Sequence, residues 1–457
     1  MAISPAAGAL GLVALAFAGA VAWRDSTTLL LLNVLAAMAA MGLAAFYSRS
    51  GRLLLAGVTD YLVATVFVWL CAFIVGMPVA LIDLRWREIP MRGTSGQVAR
   101  ILRGLALAVP LLLTFGALFV AADAMFEDLV GNLFFWDLGV AIGHLLLALA
   151  IAWIVVGLLY QIFFARMLSG IAVSCPSFLS LGIVELGIVL GTLNVLFLAF
   201  VLVQLRYLFG GAALVDASTS LTYSEYARRG FFELVTVAAL LLPLLLLADW
   251  MRRTATRGQT LLFRALALAL VALLFVIMAS AMQRMLMYVS VYGLTELRIY
   301  TTTFMGWLAV VFGWFLITVL RDQRRYFAFG ALVSGIVAVI ALNALNPVAM
   351  IVYTNAGRVA LVPPPTSPAE SRRGMKSEFD TAYVTTLGAD AVPALVQVLP
   401  LLPEAERQAT AEWLLTRWSQ PKTEDWRTWN WSRWQAWQAV GGGQDALRQA
   451  DSDSATR

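Results

Sequence analysis

Residues 261–282 read LLFRALALALVALLFVIMASAM, a run whose single charge is Arg264. At 1.5 Å per residue a helix of that length rises about 33 Å, and the hydrocarbon of a bilayer is about 30 Å thick. A helix satisfies its own backbone hydrogen bonds, which is the condition for standing in lipid. Carried outward, the same reading finds runs at 4–22, 28–47, 61–82, 104–122, 138–164, 178–203, 233–250, 300–320 and 327–345. The fold expected is all-α, a polytopic transmembrane helical bundle of about ten spans with a small C-terminal helical extracytoplasmic segment. The third run is the weakest, because 53–82 begins amphipathically around Asp60 and has the pattern of a segment that dips in and returns.

Composition agrees. Of 457 residues 61% are hydrophobic and 13% charged, against about 25% charged in a soluble domain. Mean hydropathy is +0.82. A water-exposed chain of this kind would carry large apolar patches, so the lipid bilayer is the first partner expected. The net charge of +5 is carried almost wholly by arginine, with Lys376 and Lys422 the two lysines. No basic patch is interleaved with exposed aromatics, so nucleic acid is not an expected partner. Cys71 and Cys175 have neither metal spacing nor a disulfide framework. His144 is the one histidine, which excludes His-rich metal or haem sites; no metal or cofactor is expected. Met1 to Leu10 carries no Arg or Lys, unlike a secretory n-region, so the first run is expected to be a retained helix.

Arginines set the orientation. The loops 83–103, 251–260 and 321–326 hold Arg85, Arg87, Arg92, Arg100 and Arg103, then Arg252, Arg253 and Arg257, then Arg321, Arg324 and Arg325. Even numbers of spans separate them, so they share a side, the cytoplasm by the positive-inside rule. Loop 123–137 carries Asp123, Glu127, Asp128 and Asp137 and no Arg or Lys. The C-terminal segment then lies outside; the side of the N-terminus turns on whether 61–82 crosses.

Domain boundaries follow: 1–350 transmembrane, 351–379 linker, 380–440 a small Trp-rich helical segment, 441–457 a disordered tail. Asn346-Pro347 ends the last span, and Pro363 to Pro365 stiffens the linker. Asp390 is placed to cap a helix with Pro393 in its first turn. Trp413, Trp418, Trp426, Trp429, Trp431, Trp434 and Trp437 crowd this segment. They read as packing for small helices resting on the outer leaflet, or alternatively as a platform for a sugar or an envelope protein partner.

Arginines on the outer side run against the positive-inside bias. Arg206, Arg228, Arg229 and Arg298 all fall there, with Tyr207, Glu225, Glu233, Glu296, Asn343 and Asn346. One reading is a set of ion pairs clamping helix ends. The other is a binding cluster of Arg206, Tyr207, Glu225, Arg228, Arg229, Glu233 and Arg298 that holds an anionic small molecule or lipid head group, for which the guanidinium fork suits phosphate or carboxylate. His144 and Glu185 are the ionisable residues inside spans, about 9 Å and about 10 Å from the nearer face by helical rise. Each reads as a helix-helix hydrogen bond or as a functional group.

Enzyme signatures are absent: no H-E-x-x-H, P-loop or G-x-S-x-G occurs. Gly210-Gly211 reads as a break where the chain leaves the membrane. Several longer stretches do have a counterpart elsewhere. Tyr207 to Gly211, Tyr223 to Leu234 and Tyr292 to Arg298 resemble a family of polytopic bacterial membrane proteins classed as domains of unknown function, of the DUF4153 or DUF4173 type. Ala121 to Phe126, Glu185 in Leu-Gly-Ile-Val-Glu, Gly388 to Pro393 and Asp425 to Asn430 fit the same pattern. The resemblance covers roughly 100–440, with the first two spans similar to the end of a longer N-terminal region in relatives. Its usual Asn-Pro-Asp after the last span is here Asn346-Pro347-Val348. It implies a bacterial plasma membrane and names no reaction. The leading expectation is a non-enzymatic carrier, or an envelope sensor or assembly component, with an outward-facing arginine site. An intramembrane transferase acting on a lipid-linked group, with Glu185 or Glu233 as base, is the alternative.

Overall fold

The computed structural model describes residues 4–48, 53–76, 138–163, 180–218, 231–252, 256–361, 379–419 and 428–452, with 108 and 115 as isolated positions; for 205–218 it describes the backbone. Among the described residues the chain is helical, and the one strand-like feature is a parallel bridge between Leu181 and Arg252. The helices are α1 (Pro5–Trp23), α2 (Thr27–Phe46), α3 (Val58–Cys71), α4 (Leu138–Phe163), α5 (Ile183–Ser218), α6 (Phe231–Met251), α7 (Arg257–Tyr292), α8 (Glu296–Thr318), α9 (Phe327–Leu345) and α10 (Pro347–Leu361). The C-terminal segment adds α11 (Thr381–Thr385), α12 (Val392–Val398), α13 (Glu404–Trp418), α14 (Trp431–Gly442) and α15 (Gln444–Ser452).

Eight described helices are long and apolar enough to cross a membrane. Large side chains such as Leu12 and Leu15 on α1, each 70% exposed, have no protein neighbour to cover them; only lipid satisfies such a surface. The run expected at 104–122 lies outside the described residues. That at 61–82 is a shorter apolar helix, α3, followed by a π turn over Ala72–Gly76. The protein is thus an all-α polytopic membrane protein.

The chain divides into two compact units, Val63–Gly170 and the remainder. In the larger one, α5, α6, α7 and α8 share a core centred on Leu190, Leu245, Phe263, Leu270, Leu274, Phe312 and Phe315. One end of this bundle is an arginine belt. Asp249 of α6 lies 3.5 Å from Arg252 and 3.7 Å from Arg324, while Asp322 meets both Arg252 and Arg264. Loops 251–260 and 321–326 therefore share an end. The N-terminal hairpin reaches the same end, since Ser4 donates its amide to the Ser48 carbonyl at 2.9 Å and the turn at Leu53–Leu55 packs beside Arg324–Tyr326. From Arg264 to Tyr292, α7 rises about 42 Å, so its far end clears about 30 Å of hydrocarbon.

A second core sits at that far end and mixes both parts of the chain. Leu29 of α2, Leu294, Ile299 of α8 and Leu342 of α9 pack with Val348, Ile351, Val352 and Ala356 of α10 and with Val384, Val392, Leu395, Leu414, Ala436, Val440 and Leu447 of the C-terminal segment. Three sequence-based boundaries shift as a result. Residues 351–361, read as linker, are the body of α10, because Pro347 supplies a preset first turn and the helix buries an apolar face. Residues 441–452, read as a disordered tail, complete α14 and form α15, anchored by fully buried Leu447. The segment 380–440 is not a separate body but shares the core of the membrane domain.

Within the smaller unit, α4 lies against the end of α3. The π turn frees backbone carbonyls, and α4 answers them: Trp153 Nε1 donates to Phe73 O at 2.7 Å and Gln161 Nε2 to Val68 O at 2.9 Å. Gly157 permits the approach, for a Cβ there would stand 2.4 Å from the Ala72 carbonyl oxygen and 2.8 Å from its Cα. Gly143 on the same helix has nothing within 4 Å. Gly157→Ala is expected to lower stability by about 1–3 kcal/mol through overpacking against backbone. Gly143→Ala should raise it by up to about 1 kcal/mol through helix propensity. Thermal unfolding of both variants in detergent reads the difference; equal shifts would remove the close contact from the account.

Candidate functional site at the capped end

The turn Arg24-Asp25-Ser26 joins α1 to α2 at the far end of the bundle, and Asp390 is aimed into it. Its Oδ2 accepts the amides of Asp25 (2.6 Å) and Ser26 (2.9 Å), and its Oδ1 accepts Ser432 Oγ (2.6 Å) and Arg24 Nη1 (3.3 Å). Asp25 reciprocates, accepting the Ala389 amide and Arg433 Nε. Arg24 is buried and spends its remaining donors on the Asn343 carbonyl. Asn343 exchanges amide hydrogen bonds with Asn33 of α2. Asp390 was expected to cap its own helix; instead α12 begins without a side-chain cap, and the carboxylate serves the membrane hairpin.

Asn346 lies in the left-handed region at φ 48°, accepts the Ala349 amide at the start of α10, and donates to the Asp390 carbonyl. Val348, where the resembling family usually has Asp, is fully buried in the second core. Position and chemistry here belong to packing.

The start of α8 is capped from the C-terminal segment. Tyr383 Oη accepts the Glu296 amide at 2.9 Å, and the Glu296 carboxylate accepts Ser26 Oγ at 3.2 Å. Burial raises the Tyr383 phenol above its ordinary value, with the Glu296 charge adding to that push. Glu296 is therefore turned towards α2, not towards Arg298 as an offsetting charge.

Arg298 and Arg358 flank Gly293, the turn between α7 and α8. Arg298 Nη1 donates to the carbonyls of Tyr292 and Gly293, closing the end of α7, and its guanidinium stacks 4.2 Å from the Tyr288 ring centroid. Gly293 has φ 75°, a conformation that L side chains rarely adopt, and a Cβ there would lie 2.4 Å from Asn355 Oδ1 and 3.5 Å from Arg358 Nε. Asn355 reads the next residue in both directions, accepting the Leu294 amide and donating to its carbonyl. That pairing sets α10 beside the turn and brings Arg358 to Arg298. Burial first, then the Arg298 charge, pulls the Arg358 guanidinium below its ordinary value. Among the described residues Arg298 meets no carboxylate.

The other sequence-nominated residues stand elsewhere or cannot be placed. Glu225, Arg228 and Arg229 lie outside the described residues. Arg206 and Tyr207 lie on α5, whose backbone is helical straight through Gly210-Gly211, so the break expected there does not occur. Glu233 is exposed in the first turn of α6. Glu185 is in the first turn of α5, its carboxylate folded over Gly182, because the helix starts at Ile183 beside the arginine belt rather than at 178. The depth inferred for it from the longer apolar run is thereby corrected. His144 is exposed in the second turn of α4. Arg358, Tyr383 and Asn355 escaped sequence reasoning. The available signal was the amphipathic pattern after Asn346-Pro347, with Asn355 and Arg358 on one side of a helix.

Asp390→Asn is expected to cost about 3–5 kcal/mol, because it leaves buried Arg24 without its counter-charge. Limited proteolysis in detergent should degrade the C-terminal helices sooner than in the parent. Unchanged melting and cleavage would mean that the clamp does not hold the cap.

Comparisons with curated proteins and with solved structures return no match to this chain. Comparison with protein families matches residues 7–398 to one described as a domain of unknown function. The matched region takes in both N-terminal helices, the Gly293 turn, α10 and Asp390, and ends before the Trp-rich helices. On a match of that extent, the chain belongs to the family Domain of unknown function (DUF4153).

Proposed function

We propose that this is a non-catalytic protein of the bacterial plasma membrane that holds an anionic group, a phosphate or carboxylate of a small solute or lipid head group, between Arg298 and Arg358 at its extracytoplasmic end. The observation that carries this is the pairing of two half-buried guanidiniums across Gly293. Like charges repel by about 1 kcal/mol at 4 Å even in bulk water, and by more in a partly buried site. At the arginine belt Arg252, Arg264 and Arg324 each have a carboxylate in reach; Arg298 has carbonyls and a ring. An anion accepting from both guanidiniums offsets the repulsion in the geometry that guanidinium favours. What supports recognition over carriage is the level of Glu185, at a helix start instead of mid-membrane. An envelope sensor or assembly component fits a site held by a clamped cap.

Thermal unfolding with inorganic phosphate tests the reading. Phosphate at a hundred times its dissociation constant should stabilise the protein by about 2.7 kcal/mol, with chloride at equal ionic strength as control. Arg358→Gln should abolish the shift while the unliganded melting point stays near the parent's. Lipids co-purifying with the parent and lost from Arg358→Gln would identify a head group instead of a free anion. An identical response in parent and variant removes the site.

For orientation the belt is taken as cytoplasmic by the positive-inside rule. With the arginines in the cytoplasm, Ser4 and the turn at 47–57 lie there too, and the capped end lies outside. The five arginines of 83–103 assign that loop to the cytoplasm by the same rule. In intact cells an impermeant thiol reagent should label Ser452→Cys and spare both Arg92→Cys and Cys175. Labelling of Arg92→Cys would put the 83–103 loop outside, and labelling of Cys175 would invert the protein.

A further inference from the structure

The start of α14 carries a tryptophan surface beside the end of α1, and nothing in the anion site uses it. Trp429, Trp431 and Trp434 are 55%, 38% and 41% exposed, although tryptophan is the side chain with most to gain from burial. They form one patch: ring centroids are 6.4 Å apart for Trp429–Trp431 and 4.8 Å for Trp431–Trp434. The opposite face of α14, Ser432, Ala436 and Val440, is buried in the cap core, so the exposed rings are fixed in direction by packing.

Their height is fixed as well. Ser432 Oγ donates to the Trp23 carbonyl at 2.8 Å, and Asn430 Nδ2 donates to the carbonyls of Val21 and Arg24. Trp23 closes α1, which is 40% exposed at that residue and rises about 28 Å from Pro5, close to the hydrocarbon thickness. The patch therefore lies at the end of the helix whose exposed side chains include Leu12, Leu15 and Trp23. Arg24 lies 4.5 Å over the Trp23 ring, and Arg433 and Asp25 pair behind the patch, so a charged rim borders an apolar one. Indole rings with one apolar and one polar edge partition to the headgroup boundary.

The geometry points to Trp429, Trp431 and Trp434, with Trp23, as an interfacial anchor that seats the C-terminal cap on the bilayer surface. The occupant is the lipid headgroup zone of the leaflet that α1 reaches. The surface holds α14 and hence Asp390 against the hairpin from a second direction, independent of any ligand between Arg298 and Arg358.

The test compares the parent with the triple variant Trp429→Phe, Trp431→Phe and Trp434→Phe in nanodiscs; the replacements keep an aromatic ring and leave the buried face of α14 intact. The difference in tryptophan emission isolates the three rings. Lipids brominated high on the acyl chain should quench that difference at least about twofold more than aqueous iodide does. Strong iodide quenching with little effect of bromolipid would overturn the anchor and show a water-facing surface suited to a protein partner. A second reading guards against misfolding of the triple variant: each single Phe variant should lose part of the bromolipid-sensitive emission, and equal sensitivity in all three singles and the parent also defeats the proposal.

Discussion

Four donors converge on one buried carboxylate, and the rest of the capped end is arranged around that convergence. Each donor matters, since an unpaired buried ion costs several kcal/mol. Two of the donors are backbone amides of the hairpin turn, one is a hydroxyl from α14 and one is a guanidinium that is itself buried. Each element that contributes is fixed by contributing. The hairpin of α1 and α2, the end of α9 and the C-terminal helices thus become one body, and a span of chain 366 residues long is closed by a single ion pair.

The two ends of the larger unit treat arginine differently, and that contrast gives the capped end its functional interest. At the belt, Asp249 and Asp322 are shared among Arg252, Arg264 and Arg324, a network that knits the ends of α6, α7 and α8 and asks for nothing more. At the capped end three carboxylates are committed elsewhere: Asp390 and Asp25 to the clamp, Glu296 to Ser26. Arg298 is brought to Arg358 by Asn355, whose amide needs the exact turn that glycine at 293 allows. The same constraint that docks α10 therefore concentrates positive charge.

The membrane acts on this body at two levels. It covers the leucine faces of the spans, and on the anchor proposed above it meets the tryptophans of α14 where α1 ends. A cap held by an ion pair above and by ring burial beside it is tied through two physically different terms, one sensitive to charge and the other to the presence of lipid.

Helix class and membrane solvent were legible in the sequence because both depend on sums over long windows: apolar runs of twenty residues, scarce charge, arginines grouped in alternate loops. The sharing of one end by the loops around Arg252 and Arg324 was legible for the same reason, by counting spans. What escaped was everything set by single contacts between distant residues. Asp390 looked like a local cap because sequence spacing sees its own helix and not the hairpin 364 residues away. Residues 351–361 looked like a linker because a short amphipathic helix shows its purpose only once a partner covers its apolar face. Glu185 looked deep because hydropathy cannot locate a helix start inside an apolar run, whereas the bridge from Leu181 to Arg252 does. The sequence by itself determined which solvent surrounds each helix; the tertiary structure decided which charges meet, since pairing depends on ångström distances that no composition encodes.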